Sequence, residues 1–340
     1  MKPTALALAI ALTGACANNA LPPLGECPAP AAALGPTTEQ VRIVPGPAGF
    51  DDLRYSTGLD RLIVVPQGTG SVFLLGSEEG TVTRVDGVPP GSSTADGGEG
   101  YVFVGDRGGD RIIVVDPGTA QMLVNVQLEH SIEYVRYSEE TREVWVTQPG
   151  ARQIEVLSFK DGSPPSLTHA AFISVAGGPG GLVFDKSRHR AYTHGANSIV
   201  AIDVVGRQLL AEWPTGCGRS HGMPAVDEAR GLIFAGCASK GGGAVISAND
   251  GAQLAGYEAG LGSAVIGYSS FLGHFYLRSD PGTSLEVLAV CGNGGMARLG
   301  RVDVAESSPC LAADQRGNVW VCDTEAGGLI RFKDSYAKSR

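Results

Sequence analysis

The chain is poor in large rings and in charge. Aromatic residues make up 6% and Asp, Glu, Lys and Arg together 18%, with three Trp and four Met in 340 residues. That scarcity argues against a helical bundle or coiled coil laced with surface ion pairs. Basic residues are scarcer than acidic ones, 26 against 35, for a formal charge of −9. No run of Lys and Arg exceeds two, so a nucleic-acid partner would have to bind against the field of the whole protein. Also missing are a Walker loop, a dinucleotide fingerprint, EF-hand spacing, a C-x-x-C pair and any His/Cys cluster with metal-ligand spacing. Cofactor and metal therefore stay unassigned.

What the chain does have is glycine, 49 residues of it, and a hydrophobic content of 43%. Together they fit many short strands joined by tight turns around a substantial core.

Residues 1–16, MKPTALALAIALTGAC, combine a basic start with a short apolar run and small residues before Cys16. This is the grammar of a secretory leader, too short to span a bilayer as a stable helix. Two processing routes fit it. Leu12-Thr13-Gly14-Ala15-Cys16 resembles a lipobox, with Thr13 departing from the usual apolar residue, and makes Cys16 the lipid attachment site. Ala15-Cys16-Ala17 also satisfies the small-x-small rule, which would leave Asn18 first. Loss of Lys2 with the leader would take the net charge from −9 to −10. Residues 17–37 are Pro- and Ala-rich, the composition of an extended spacer. The expected location is the outer membrane as a lipoprotein, with a periplasmic or secreted protein as the alternative. Membrane contact is expected only through the lipid.

From residue 38 to the end of the chain one pattern repeats. Apolar runs begin at Leu62, Tyr101, Val144, Ala191, Ile233, Phe275 and Val319, separated by 39, 43, 47, 42, 42 and 44 residues. Each is preceded by a strand-like segment and a polar turn, as in Leu53-Arg-Tyr-Ser and Val135-Arg-Tyr-Ser, and followed by a third strand ending in turn residues. A unit of about 40–45 residues with four strands is the signature of a β-propeller, and the runs predict seven blades. The last unit has no room for an outer strand. The isolated segment Gln40–Val44 is expected to supply it and seal the ring.

Val144–Ser158 (VWVTQPGARQIEVLS), Ala191–Asp203 (AYTHGANSIVAID) and Tyr101–Asp116 (YVFVGDRGGDRIIVVD) resemble the YVTN repeats of the exported YncE-like β-propeller family. The likeness spans roughly residues 40–335. It implies the fold more than a function, since propellers host enzymes, ligand binders and scaffolds alike. Single-stranded DNA binding, which the resemblance also brings up, sits poorly with the acidic charge.

Seven cysteines leave six once Cys16 is assigned to the leader or lipid. In propeller topology Cys217 and Cys237 fall at neighbouring places on one face of one blade, and Cys310 and Cys322 hold the same places in the last. Disulfides Cys217–Cys237 and Cys310–Cys322 are therefore expected, with Cys27–Cys291 as a third that clamps the spacer to the ring.

Gly218-Arg-Ser-His-Gly222 matches G-x-S-x-G, but an inner strand follows where a nucleophile elbow needs a helix. His130, His194 and His221 fall on one rim and are the candidates for acid/base or metal chemistry, against the alternative of solvated or backbone-bonded histidines on separate blades. Asp51, Asp52, Asp106, Arg107, Glu133 and Asp323 are placed to decorate the same rim. Trp145 and Trp320 are expected to pack between blades. The leading expectation is a binding or scaffold module of the cell envelope, whose partner is an envelope protein or a small ligand. The alternative is a propeller lyase or hydrolase with a His-centred site at the channel mouth.

Overall fold

A computed structural model describes residues 37–76, 81–260, 262–279, 283–291, 294–304, 310–336 and 338. It contains seven four-stranded antiparallel sheets, and no α-helix among the described residues. The sheets are the blades of a propeller. We number them in chain order by their inner strands: Leu53–Ser56, Ser92–Gly98, Val135–Ser138, Leu182–Asp185, Ser220–Asp227, Ala264–Ser269 and Leu311–Ala313. The second strands are Arg61–Val64, Tyr101–Asp106, Glu143–Gln148, Arg190–His194, Leu232–Cys237, His274–Ser279 and Asn318–Asp323. Every apolar run picked out by period occupies one of these.

Those runs are continuously apolar because both faces of a middle strand are covered. Leu62 and Val64 pack towards blade 7, against Trp320 and Leu329. Their neighbours Ile63 and Val65 pack towards blade 2, against Val102 and Val104. The same division recurs around the ring, giving one buried cluster for each adjacent pair of blades. Trp145 and Trp320, both buried, belong to the clusters between blades 3 and 4 and between blades 7 and 1. Each interface removes several large aliphatic side chains from water at about 25 cal/mol per Å². Blades that could not stand alone thus stabilise one another, as in other repeat architectures.

The ring closes through the N-terminal strand, Thr37–Arg42, which pairs antiparallel with Gly328–Lys333 as the outer strand of blade 7. It begins three residues earlier than the expected Gln40–Val44. The pairing ends where Ile43 and Val44 both donate their amides to the Gly327 carbonyl, turning the chain off the sheet edge. From there residues 43–52 cross the face of the ring, held by Ala48 N–H to the Thr324 carbonyl (3.0 Å) and Gln67 N–H to the Gly49 carbonyl (2.9 Å). The closing strand therefore delivers Asp51 and Asp52 to the channel mouth.

Two disulfides form as expected, Cys217–Cys237 within blade 5 and Cys310–Cys322 within blade 7, with Cα separations of 4.9 and 5.5 Å. Cys291, in blade 6, is also disulfide-bonded. Its expected partner Cys27, like Cys16 and the leader, lies outside the described residues.

Candidate functional site at the channel mouth

A cavity of about 500 Å³ opens where the inner strands begin. Its lining comes from the crossing segment (Phe50, Asp51, Asp52), from blades 2 and 3 (Arg107, Glu133, Tyr134) and from blades 5 to 7 (Met223, Val265, Ile266, Leu311). The volume lies within the range of small-ligand sites.

Arg107 follows the second strand of blade 2 in the turn Asp106-Arg-Gly-Gly-Asp110. The turn is capped by the Asp106 carboxylate, which accepts from the Gly108 amide (3.1 Å) and from Arg111 Nε (2.7 Å). A side chain on Gly91 would strike the Gly108 backbone, so the glycines let this turn lie against the start of the inner strand. Arg107 then reaches to the neighbouring elements on either side. It pairs with Asp51 and donates Nε and Nη2 to the Glu133 carbonyl at 3.0 and 2.6 Å. Its guanidinium lies 5.4 Å from the centroid of the Tyr134 ring, and that of Arg136 lies 5.8 Å from the same ring.

Glu133 and Tyr134 are pinned by their backbone. The Glu133 amide donates to the Thr147 carbonyl (2.8 Å) and the Tyr134 amide to Thr147 Oγ1 (3.0 Å). The Glu133 carboxylate itself accepts no hydrogen bond from the described residues. Burial pushes its pKa up, with Arg107 opposing and Asp51 reinforcing the shift. Burial also raises the Tyr134 phenol, aided by Asp51 and Glu133.

Beneath this layer lies a buried ladder. Arg136 makes a bidentate pair with Asp52, both contacts 2.8 Å, with the two residues 1% and 5% exposed. Thr94 Oγ1 donates to the same carboxylate at 2.6 Å. Burial alone would raise the Asp52 pKa, yet the Arg136 charge and hydrogen bonds hold it below the usual carboxylate value. One step deeper, Arg54 pairs with Asp96 at 2.9 Å, and Asp96 also accepts the Tyr137 amide at 3.0 Å. These bonds link blades 1, 2 and 3 along the channel wall.

Of the candidate rim residues, Asp51, Asp52, Arg107 and Glu133 line the cavity. Asp52 is a correction to the rim reading, because it is a buried ion-pair partner and not a solvated charge. Asp106 is likewise buried and caps its own turn. Asp323 caps another, accepting from the Ala326 amide (3.0 Å) and from Gln40 Nε2 of the closing strand (3.0 Å). Neither contributes to the cavity lining.

The three candidate histidines sit on successive blades, and the side chain of His221 lies outside the described part of the structure. His130 is exposed in the loop before blade 3, where its carbonyl accepts from Gln148 Nε2 (3.2 Å). His194 is buried at the end of its strand, with Nδ1 2.9 Å from the Gly222 carbonyl of the next blade. His221 lies in the inner strand of blade 5 with its backbone opposite Gly236. Among the described residues no group of three His, Cys, Asp or Glu is arranged to hold a metal. In the G-x-S-x-G match, Ser220 begins a strand and its hydroxyl lies 3.2 Å from that of Thr215.

Sequence reasoning passed over Arg136 and Tyr134. A signal was present: Leu53-Arg-Tyr-Ser and Val135-Arg-Tyr-Ser place Arg54 and Arg136 at equivalent positions in blades 1 and 3. An arginine on an inner strand has to find a carboxylate across the channel wall.

No protein-family model matches the chain, and no curated protein matches it. Solved structures do resemble it in fold. The β-propeller domain of Cps50 (Swd1) from Myceliophteria thermophila superposes with a TM-score of 0.71 at 11% identity, over 88% of this chain and all (100%) of that one. Kuenenia stuttgartiensis hydrazine synthase matches with a TM-score of 0.69 at 12% identity, over 87% of this chain and 97% of that one. A chain of a mitotic checkpoint complex matches with a TM-score of 0.71 at 11% identity, over 90% of this chain and 96% of that one. At such identities the likeness shows the seven-bladed fold.

Proposed function

We propose that this protein is an exported, lipid-anchored binding module of a bacterial cell envelope, a propeller of the YVTN-repeat kind that takes a small ligand at its channel mouth. The observation that carries the reading is the cavity of about 500 Å³, walled by charged groups on one side and aliphatic ones on the other. A site of this kind offers shape and a few placed polar groups, which suffice for recognition. Two described disulfides and a third disulfide-bonded cysteine, Cys291, fit an oxidising compartment. The leader-like residues 1–16 and the spacer support export and a tether at Cys16. The His-centred enzyme draws less support, since His194 is engaged with the Gly222 carbonyl and His130 stands outside the cavity.

Native mass spectrometry of the protein released gently from its own envelope tests both parts. A diacyl or triacyl increment on Cys16 is expected, and a mass beginning at Asn18 overturns the anchor. A small-molecule increment is expected in the wild type and lost in Val265→Arg, which fills the cavity. Equal retention by both proteins would rule the cavity out as the binding site.

A further inference from the structure

Among the described residues, the carboxylates and guanidiniums lining the channel mouth are not equal in number. Asp52 is matched by Arg136 and Asp51 by Arg107, each within a direct ion pair. Glu133 is the carboxylate left over. Arg107 stands near it but spends its Nε and Nη2 on the Glu133 backbone carbonyl and Nη1 on Asp51. An anionic ligand would have to displace those bonds to reach the guanidinium. A cationic ligand would displace nothing, because no described group bonds to the Glu133 carboxylate.

Facing this carboxylate across the cavity are Met223, Val265, Ile266 and Leu311, from the inner strands of blades 5, 6 and 7. They offer no polar side-chain atom beyond a thioether. Met223 and Val265 are partly exposed to the cavity, and Ile266 and Leu311 are nearly covered by their neighbours. The wall is therefore two-sided, with one carboxylate that no described group hydrogen-bonds opposite an aliphatic surface.

We infer that the channel mouth selects a compact monocationic amine with an apolar body, its ammonium on the Glu133 carboxylate and its body against Met223, Val265, Ile266 and Leu311. This rests on the cavity being the ligand site. The ammonium donates a charge-assisted hydrogen bond to Glu133, stronger than a neutral one, and the body removes aliphatic surface from water. The net charge of −9 favours the approach of a cation and disfavours that of an anion.

The experiment titrates the folded protein near neutral pH with three probes of one shape: cyclohexylamine, cyclohexanol and cyclohexanecarboxylate. The amine is expected to bind about 10-fold tighter than the alcohol, the difference between a charge-assisted and a neutral hydrogen bond, with the carboxylate weakest. Glu133→Gln should bring the amine down to the affinity of the alcohol and leave the alcohol unchanged. Val265→Arg should abolish binding of both. An alcohol or carboxylate that binds as tightly as the amine, or an amine indifferent to Glu133→Gln, overturns the cationic class while the cavity stands. If none of the three binds to protein shown to be folded by its thermal transition, the cavity reading fails as well.

Discussion

The two sides of the channel are built on different principles. Blades 1 to 3 meet along ion pairs, the buried Asp52 with Arg136 and the half-buried Arg54 with Asp96, knitted by Thr94 and the Tyr137 amide. Blades 5 to 7 present Met223, Val265, Ile266 and Leu311 at the same level and carry all the described cysteines. At the channel mouth one side is lined by directional bonds between blades and the other by aliphatic side chains, while away from the mouth blades 5 to 7 also share polar links, Tyr268 with Asp227 and His274 with Asp334. The contrast shows how one repeat can line a channel with two chemistries and leave a two-faced cavity where they meet. The two-sided cavity follows from that asymmetry, because a symmetric ring would offer seven like walls.

Breaking the ion-pair side should have the largest effect. Asp52→Ala leaves the Arg136 guanidinium buried without its partner, and a loss of about 3–5 kcal/mol in denaturant unfolding is expected. Replacing both, Asp52→Leu with Arg136→Met, should recover most of it, since the expensive desolvation of two charges goes with them. A single mutant within about 1 kcal/mol of wild type would mean that the ladder is solvated and the comparison mistaken.

Loss of the disulfides should come next and fall on the other side. Cys310 and Cys322 close a loop of sequence separation 12, and Cys217 and Cys237 one of 20. Each is expected to contribute about 2–4 kcal/mol. Under a reducing agent, hydrogen exchange should quicken in blades 5 to 7 while blades 1 to 3 keep their protection. Uniform loosening of the ring would erase the distinction.

Acid should loosen the ion-pair ladder that reduction leaves intact. Asp52 is held below its ordinary pKa in the folded protein, so its contribution is fully present above the unfolded value. That contribution is lost as pH falls through the folded one. Exchange along the Asp52–Arg136 ladder of blades 1 to 3 should therefore rise as the pH is lowered, and Asp227, held down likewise against burial by Tyr268 and Arg230, should give blade 5 a sensitivity of the same sign.

Much of the fold was legible because a middle propeller strand is apolar on both faces, and a run such as Leu62-Ile-Val-Val65 is hard to mistake. The two disulfides were legible because blade position determines which loops share a face. The closing strand was displaced by three residues because Thr37–Gln40 is polar, and its pairing comes from the register with Gly328–Lys333 and not from any pattern of its own. The cavity was legible only in part. Arg107, Glu133 and Asp51 were read as rim charges, whereas the Asp52–Arg136 pair joins residues 84 apart in sequence. No periodicity within a blade connects them. Met223 and Val265 gave no signal at all, since a side chain lining a channel has the same chemistry as one in the core.

The smallest expected effect bears on the site itself. Burial raises the Glu133 pKa in the folded protein, so this group favours folding only at low pH and opposes it once pH rises above the unfolded value. Glu133→Gln removes the charge, and its amide has the same shape. Because the carboxylate still meets solvent at the cavity, the gain is modest, below about 1 kcal/mol, or a rise of roughly 2 °C in Tm near neutral pH. The gain should vanish on acidification, where the wild-type carboxyl is itself neutral. A carboxylate kept at some cost in stability, facing an aliphatic wall and accepting no hydrogen bond from the described residues, is what the proposed recognition role requires. If Glu133→Gln instead destabilises the protein at neutral pH, the carboxylate is serving the fold, and the division between a structural and a ligand-facing layer at the channel mouth must be redrawn.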